Sequence, residues 1–184
     1  GCFSYISLHY IIIMDKIQTL LSQISLLSKK NNEILEIMGT RFNIFHILGV
    51  SHYENTHSTI LAELLNPEGT HGLHNSFLKL FLDINQIEGF DSRNALVRTE
   101  VAVSEYGRID ILIESSNWAV IIENKFYAKD QPEQLKRYNE YAIGKYGVGN
   151  YMILYLTPDG RYASDDSGRG VDYRCISYKK TIIE

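Results

Sequence analysis

Asp110, Glu123 and Lys125 are the residues of this 184-residue chain whose types and spacing could do chemistry. They lie in RIDILIESSNWAVIIENK, residues 108–125, where one apolar strand pattern carries Asp110 near its start and the next ends in Glu123-Asn124-Lys125. Two carboxylates on neighbouring strands can hold a hard divalent cation through oxygen, leaving water and a phosphate to complete its shell. Side chains alternate along a strand, so Lys125 points to the same face as Glu123. Carboxylates, cation and ammonium around one point suit phosphodiester hydrolysis: the cation lowers the pKa of a bound water, and fixed positive charge stabilises charge developing on phosphorus. The arrangement carries a condition. Asp110 joins that face only if it pairs with an odd-numbered residue, which requires a hairpin loop with an even number of residues.

An E-x-K triplet alone is cheap, arising about once by chance in a chain of this length. Context raises its weight, because an Asp sits on the preceding strand and a helix pattern follows. The competing account makes the three residues solvated cross-strand pairs on an exposed sheet face. Val120, Ile121 and Ile122 argue against it, since they mark a strand buried on both sides, where a charge is costly unless paired or functional.

The elements that must position these residues follow from periodicity. Residues 17, 20, 24, 27, 31, 34 and 38 form a 3-4 seam of Ile, Leu, Ile, Leu, Asn, Ile and Met. That seam predicts a long amphipathic helix, packed on its own domain or pairing two chains as a coiled coil with Asn31 fixing register. Ser51 to Glu54 reads as a capping box opening a helix through Leu65, which the Asn66-Pro67-Glu68-Gly69 turn ends. A second helix is expected at about 75–84. Strands follow at about 97–105, 109–114 and 118–125. Asp130 is expected to cap a helix running to about Tyr146, with Glu133 as its box partner. Residues 151–156 read as a buried central strand and 172–178 as a last one. The order predicts an α/β fold with a mixed sheet, because the helix after Lys125 acts as a crossover between parallel strands.

Composition sets the outer bounds. With 45% hydrophobic and 22% charged residues the chain suits one ordinary globular domain, here 51–184, preceded by a helical segment at 14–50. The run at 1–13 is apolar but lacks a basic n-region and is too short to span a membrane, so it is expected to be a non-native or disordered leader. Room for a further C-terminal part is left beyond Glu184. A net charge of −4 gives no global pull on nucleic acid, so such a partner would need a local basic patch or a cation-neutralised site. Arg98, Arg108, Lys129, Lys136 and Arg137 are the basic candidates. Cys2 and Cys175 show no metal or disulfide spacing, which points to a cytoplasmic setting. His71 and His74 resemble a ligand pair, but Gly72 favours a loop and zinc would need ligands the sequence does not supply.

The string D…E-N-K on consecutive strands, followed by Gln134-Leu135-Lys136-Arg137-Tyr138, resembles the PD-(D/E)XK nuclease superfamily, including the QxxxY element of its RecB-like members. Glu54-Asn55-Thr56-His57-Ser58 with Leu61-Ala62-Glu63-Leu64-Leu65 looks like the entry helix of one branch. The resemblance covers roughly 51–178. It implies a restriction-endonuclease-like αβββαβ core with an N-terminal helical extension, and Mg²⁺-dependent hydrolysis of phosphodiester bonds, with Mn²⁺ as a substitute and DNA favoured over RNA. By that carry-over Asp110 and Glu123 bind Mg²⁺, the Asn124 carbonyl adds a ligand, Lys125 positions or activates the attacking water, and Gln134 and Tyr138 contact substrate or water. Glu54 and His57 share a helical face and are the candidates for a further metal ligand, with Glu100 as the alternative acid. Ile109 stands where the family name has proline, which leaves the metal chemistry intact. The rival from another class is a catalytically silent nucleic-acid-binding or assembly subunit that keeps the fold and forms a homodimer through 17–38.

Overall fold

The computed structural model describes residues 54–183, together with six helical positions between Gln18 and Lys30. The chain divides into two units, 1–51 and 52–184. The 1–13 leader, the 17–38 seam positions and the Ser51 capping residue lie outside the described residues. Within the second unit the elements are α1 (Glu54–Leu65), α2 (Ser76–Ile84), β1 (Leu96–Ala102), β2 (Arg108–Ser115), β3 (Trp118–Asn124), α3 (Gln134–Tyr146), β4 (Tyr151–Thr157), a one-turn α4 (Asp165–Gly168) and β5 (Arg174–Ser177).

The strands form one mixed sheet in the order β1-β2-β3-β4-β5. β1, β2 and β3 are an antiparallel meander, while β3-β4 and β4-β5 are parallel. The α/β class and the αβββαβ order expected from the sequence are both present. The three central strands are apolar on both faces, and each face is covered. Ile111, Ile113, Val120, Ile122, Leu154 and Leu156 pack against α1 and α2 through Leu61, Leu65, Leu78 and Phe81. On the opposite face Leu112, Ala119, Ile121, Ile153 and Tyr155 pack against Leu135, Tyr138, Ala142 and Tyr146 of α3. Burying a sheet on both faces explains its near-continuous Ile, Leu and Val usage. No helix among the described residues is long and apolar enough to cross a membrane.

The start of α3 differs from expectation. The helix begins at Gln134, and the preceding Glu133 adopts a left-handed φ of 51° without a side-chain cap. Asp130 is drawn off by the loop after β4 instead: it accepts hydrogen bonds from the Tyr155 hydroxyl and from the Ser164 amide, the latter at 2.8 Å. A tertiary partner has outcompeted the local cap, which contributes only about 1 kcal/mol. His71 is a loop residue, with Nε2 on the Asn66 carbonyl at 3.1 Å and Nδ1 accepting from the Leu73 amide at 3.0 Å.

Candidate active site

The β2-β3 hairpin brings the acidic pair together. Ser115 pairs with Trp118, so Ser116 and Asn117 form a two-residue loop, with Ser116 at φ 53°. Two-residue hairpin loops need positive φ because that twist matches the strands they join. The loop is even, as the geometry required. Ile111 stands opposite Ile122, and one further step of that register sets Asp110 opposite Glu123. The Asn124 amide donates to Asp110 Oδ2 at 2.8 Å, closing the strand pair where the ladder ends. Lys125 Nζ lies 2.5 Å from Glu123 Oε1, both side chains being almost wholly buried.

The electrostatics of this cluster are short of positive charge. Burial pushes the Asp110 carboxyl up to about 6, and the Asn124 amide and Lys125 only partly offset it. Burial, then the charge of Asp110, pushes Glu123 up to about 8 despite its ion pair. Burial pulls Lys125 down, but Glu123, Asp110 and Glu54 more than compensate, so it is held as an ammonium. Two carboxyls thus share one cation in a dry setting, and like charges so placed resist ionising together. Tyr138, the smallest of the influences that draw Glu123 back down, relieves them only in part. Its hydroxyl proton goes to the Arg108 carbonyl at 2.5 Å, while Gln134 Nε2 donates to its oxygen at 3.1 Å. Burial and the neighbouring Glu123 push the phenol upward, so it stays neutral.

The other sequence candidates take defined places around this pair. Gln134 and Tyr138 are buried on α3, bonded to each other, and hold the first residue of β2. Glu100 lies across from Asp110, because Thr99 pairs with Ile111 and Val101 with Ile109. It adopts φ 53° within its strand, and Arg108 Nε lies 2.9 Å from its Oε2. The Asn124 side chain points to the opposite face, donating to the Glu54 carbonyl at 3.2 Å and Ser58 Oγ at 3.0 Å while accepting from the Tyr178 hydroxyl at 3.0 Å. This leaves its main-chain carbonyl as the group relevant to a cation. His57 packs edge-on against Phe126 at 4.7 Å and Tyr178 at 6.0 Å, and burial lowers its pKa. Glu54 Oε1 accepts three hydrogen bonds, from the amides of Phe126, Tyr127 and Ala128 at 2.7, 2.9 and 2.8 Å. Sequence reading missed that contact and the Tyr178 hydroxyl, since both join segments more than fifty residues apart.

The donor set fits a hard divalent cation. The Glu123 carboxylate is wholly buried with Lys125 as its ion-pair partner, and an ion beside it would supply the further positive charge that two carboxyls with one ammonium lack. Among the described residues no three His, Cys, Asp or Glu side chains converge as a ready-made cage. Mg²⁺ does not need one: it usually binds through one or two carboxylates and keeps several waters. Zinc, which favours nitrogen and sulfur, is poorly matched.

The basic candidates do not form an open patch. Arg98 pairs with Glu114, Arg108 with Glu100, and Lys136 with Glu133 at 2.8 Å. Arg137 donates to the carbonyls of Tyr106 and Pro132, and Lys129 is exposed on the loop beyond the site.

Comparison with known families agrees with the geometry. The family model of the PD-(D/E)XK nuclease superfamily matches residues 42–184. No curated protein and no solved structure matches the chain.

Proposed function

The chain belongs to the PD-(D/E)XK nuclease superfamily, and from that premise we propose that it is a metal-dependent nuclease using Mg²⁺, or Mn²⁺ in its place. One observation carries the proposal: a half-buried Asp110 and a wholly buried Glu123 stand side by side near the ends of adjacent strands, with Lys125 as the ammonium among the described residues that balances them. A divalent cation bound there supplies a water of lowered pKa and positive charge for the phosphoryl oxygens. Asp110 and Glu123 would hold that ion, with the Asn124 carbonyl as a further ligand. Lys125, kept protonated by its neighbours, acts as fixed positive charge against the developing charge on phosphorus rather than as a base. Gln134 and Tyr138 act through the Arg108 carbonyl, fixing the strand that presents Asp110.

The substrate is a nucleic acid, with DNA put forward ahead of RNA. The cytoplasm is the proposed setting, and the 17–38 seam is proposed as a homodimer contact on sequence grounds, to be decided by sedimentation of the intact chain. The first experiment incubates plasmid, single-stranded DNA and RNA with the protein in Mg²⁺, Mn²⁺ or EDTA. Asp110→Asn and Lys125→Ala are run alongside, their folding checked by circular dichroism. Cutting that needs the ion and is lost in both folded variants supports the nuclease. A folded native chain that neither cuts nor takes up Mg²⁺ in calorimetry would replace it with a silent binding or assembly subunit.

A further inference from the structure

Three consecutive main-chain amides converging on one carboxylate oxygen are a strong and specific device. Glu54, in the first turn of α1, gathers the N–H groups of Phe126, Tyr127 and Ala128 on Oε1, all within 2.9 Å. Charge-assisted hydrogen bonds of this kind are roughly twice as strong as neutral ones. The same residue grips the chain a second time, since its main-chain carbonyl accepts from Asn124 Nδ2 at 3.2 Å. Lys125 lies between the two grips. Its own amide is tied to the Leu156 carbonyl at 2.8 Å, and its ammonium reaches Glu123. His57, one helical turn after Glu54, adds its ring to Phe126 in the same segment. On the C-terminal side of Lys125, the amides of residues 126–128 are held by the first turn of α1, while Asn124 before it is held by Asp110 and Tyr178 as well as by α1.

We propose that Glu54 is a positioning residue rather than a ligand of the cation: its carboxylate fills the amide cradle of residues 126–128, and thereby sets where Lys125 places its ammonium. The proposal rests on the nuclease reading for its consequence in catalysis, but not for the cradle itself. Oε1, already taking three donors, has little left to offer a metal, so direct ligation would fall to Oε2 alone. The cradle's geometry requires an acceptor oxygen, to which the charge adds strength, whereas hard divalent cations are held mainly by carboxylates. Glutamine separates the two demands, because it keeps an acceptor oxygen in the same place and removes the charge.

The test compares native protein, Glu54→Gln and Glu54→Ala by three measurements: amide hydrogen exchange at residues 126–128, Mn²⁺ binding by calorimetry, and kcat and KM for cleavage. Glu54→Gln is expected to keep the three amides protected, to bind Mn²⁺ as the native chain does, and to rescue most of the cleavage lost in Glu54→Ala. Glu54→Ala is expected to lose that protection and, with Lys125 released, to drop kcat by about 100-fold, leaving KM and Mn²⁺ affinity near native. Loss of Mn²⁺ affinity by about tenfold or more in a folded Glu54→Gln whose amides stay protected would overturn the proposal in favour of direct ligation. So would an alanine variant whose amides stay protected. If the alanine variant fails to fold, the glutamine arm still decides. If the native chain does not cut nucleic acid, exchange and calorimetry report on the cradle regardless, so the two readings fail separately.

Discussion

Asp110 and Glu123 carry protons in the folded chain that they would release on unfolding, and the sign of the resulting pH dependence follows. Burial, with smaller contributions from Glu100 and Glu54, raises Asp110 from 3.8 to about 6, and burial followed by the charge of Asp110 raises Glu123 from 4.5 to about 8. The stabilisation held in those protons is complete below the unfolded values and is lost as pH rises through the folded ones. Metal-free protein should therefore lose stability between about pH 4 and 8, relative to a reference lacking the repulsion. Asp110→Asn is that reference, since asparagine can still accept from the Asn124 amide. By pH 8 in EDTA it should be the more stable protein by on the order of 1–3 kcal/mol, read by urea unfolding. Mg²⁺ should then stabilise the native chain and leave the variant unmoved. A difference that does not change with pH would show that Asp110 titrates in the folded chain as it does in the unfolded one. The same protons predict that Mg²⁺ binding at pH 7 releases protons, and that affinity rises with pH across the range 6–8. Calorimetry in buffers of different ionisation enthalpy measures both. The types and spacing of these residues were legible in the sequence, but the parity that joins them was only a condition there: the turn read at Ser115-Ser116-Asn117 has three residues, and pairing of Ser115 with Trp118 reduces the loop to two. The three amides on Glu54 were not, because nothing local in either segment marks a contact across seventy residues.

Elements make the pair permanent, and here short-range chemistry and long-range competition part ways. The β2-β3 hairpin was readable because alternation fixes faces and Ser115-Ser116-Asn117 marks the turn. Its loop has two residues rather than the three of that turn, because Ser115 pairs with Trp118 and extends β2 by one residue. The α3 start was not readable, because Asp130 and Glu133 satisfy local cap rules that Tyr155 and Ser164 override from other elements. Two predictions belong to this scale. Ser116 holds a left-handed φ that costs a residue with a Cβ roughly 1–2 kcal/mol. Ser116→Gly should accordingly stabilise the protein by about 0.5–1 kcal/mol, after its added unfolded-state entropy, without altering cation binding. An unchanged or lower denaturation midpoint would count against the loop geometry. Tyr138→Phe removes the hydroxyl that holds the Arg108 carbonyl and leaves that acceptor and Gln134 without their partner. It should destabilise by about 1–3 kcal/mol. Cation affinity should also weaken, because Asp110 lies two residues along the released strand. Loss of stability with unchanged affinity would confine Tyr138 to the core.

At the scale of the whole molecule the question is how an acidic protein meets a polyanion. The chain carries a net charge of −4, and most basic side chains singled out near the sheet are already committed to acids or carbonyls of their own fold. Sequence showed the number of basic residues but not their partners, which depend on which strands and helices become neighbours. Arg98 and Glu114 are 16 positions apart yet adjacent across β1 and β2. On the nuclease proposal, steering by a basic face of the described residues is therefore weak, and attraction for a phosphate would come from the cation with Lys125. Few counterions are displaced under such conditions, and the dependence of log K on log salt has a slope near −0.9 per neutralised phosphate on duplex DNA. Binding of a labelled duplex should be negligible in EDTA, and should appear with Ca²⁺ or Mg²⁺ with a slope of about −2 or shallower. Fluorescence anisotropy from 50 to 200 mM salt measures it. Tight binding in EDTA with a steep slope would place the nucleic acid on a basic surface elsewhere in the chain, and the paired acids at the end of the hairpin would no longer account for substrate capture.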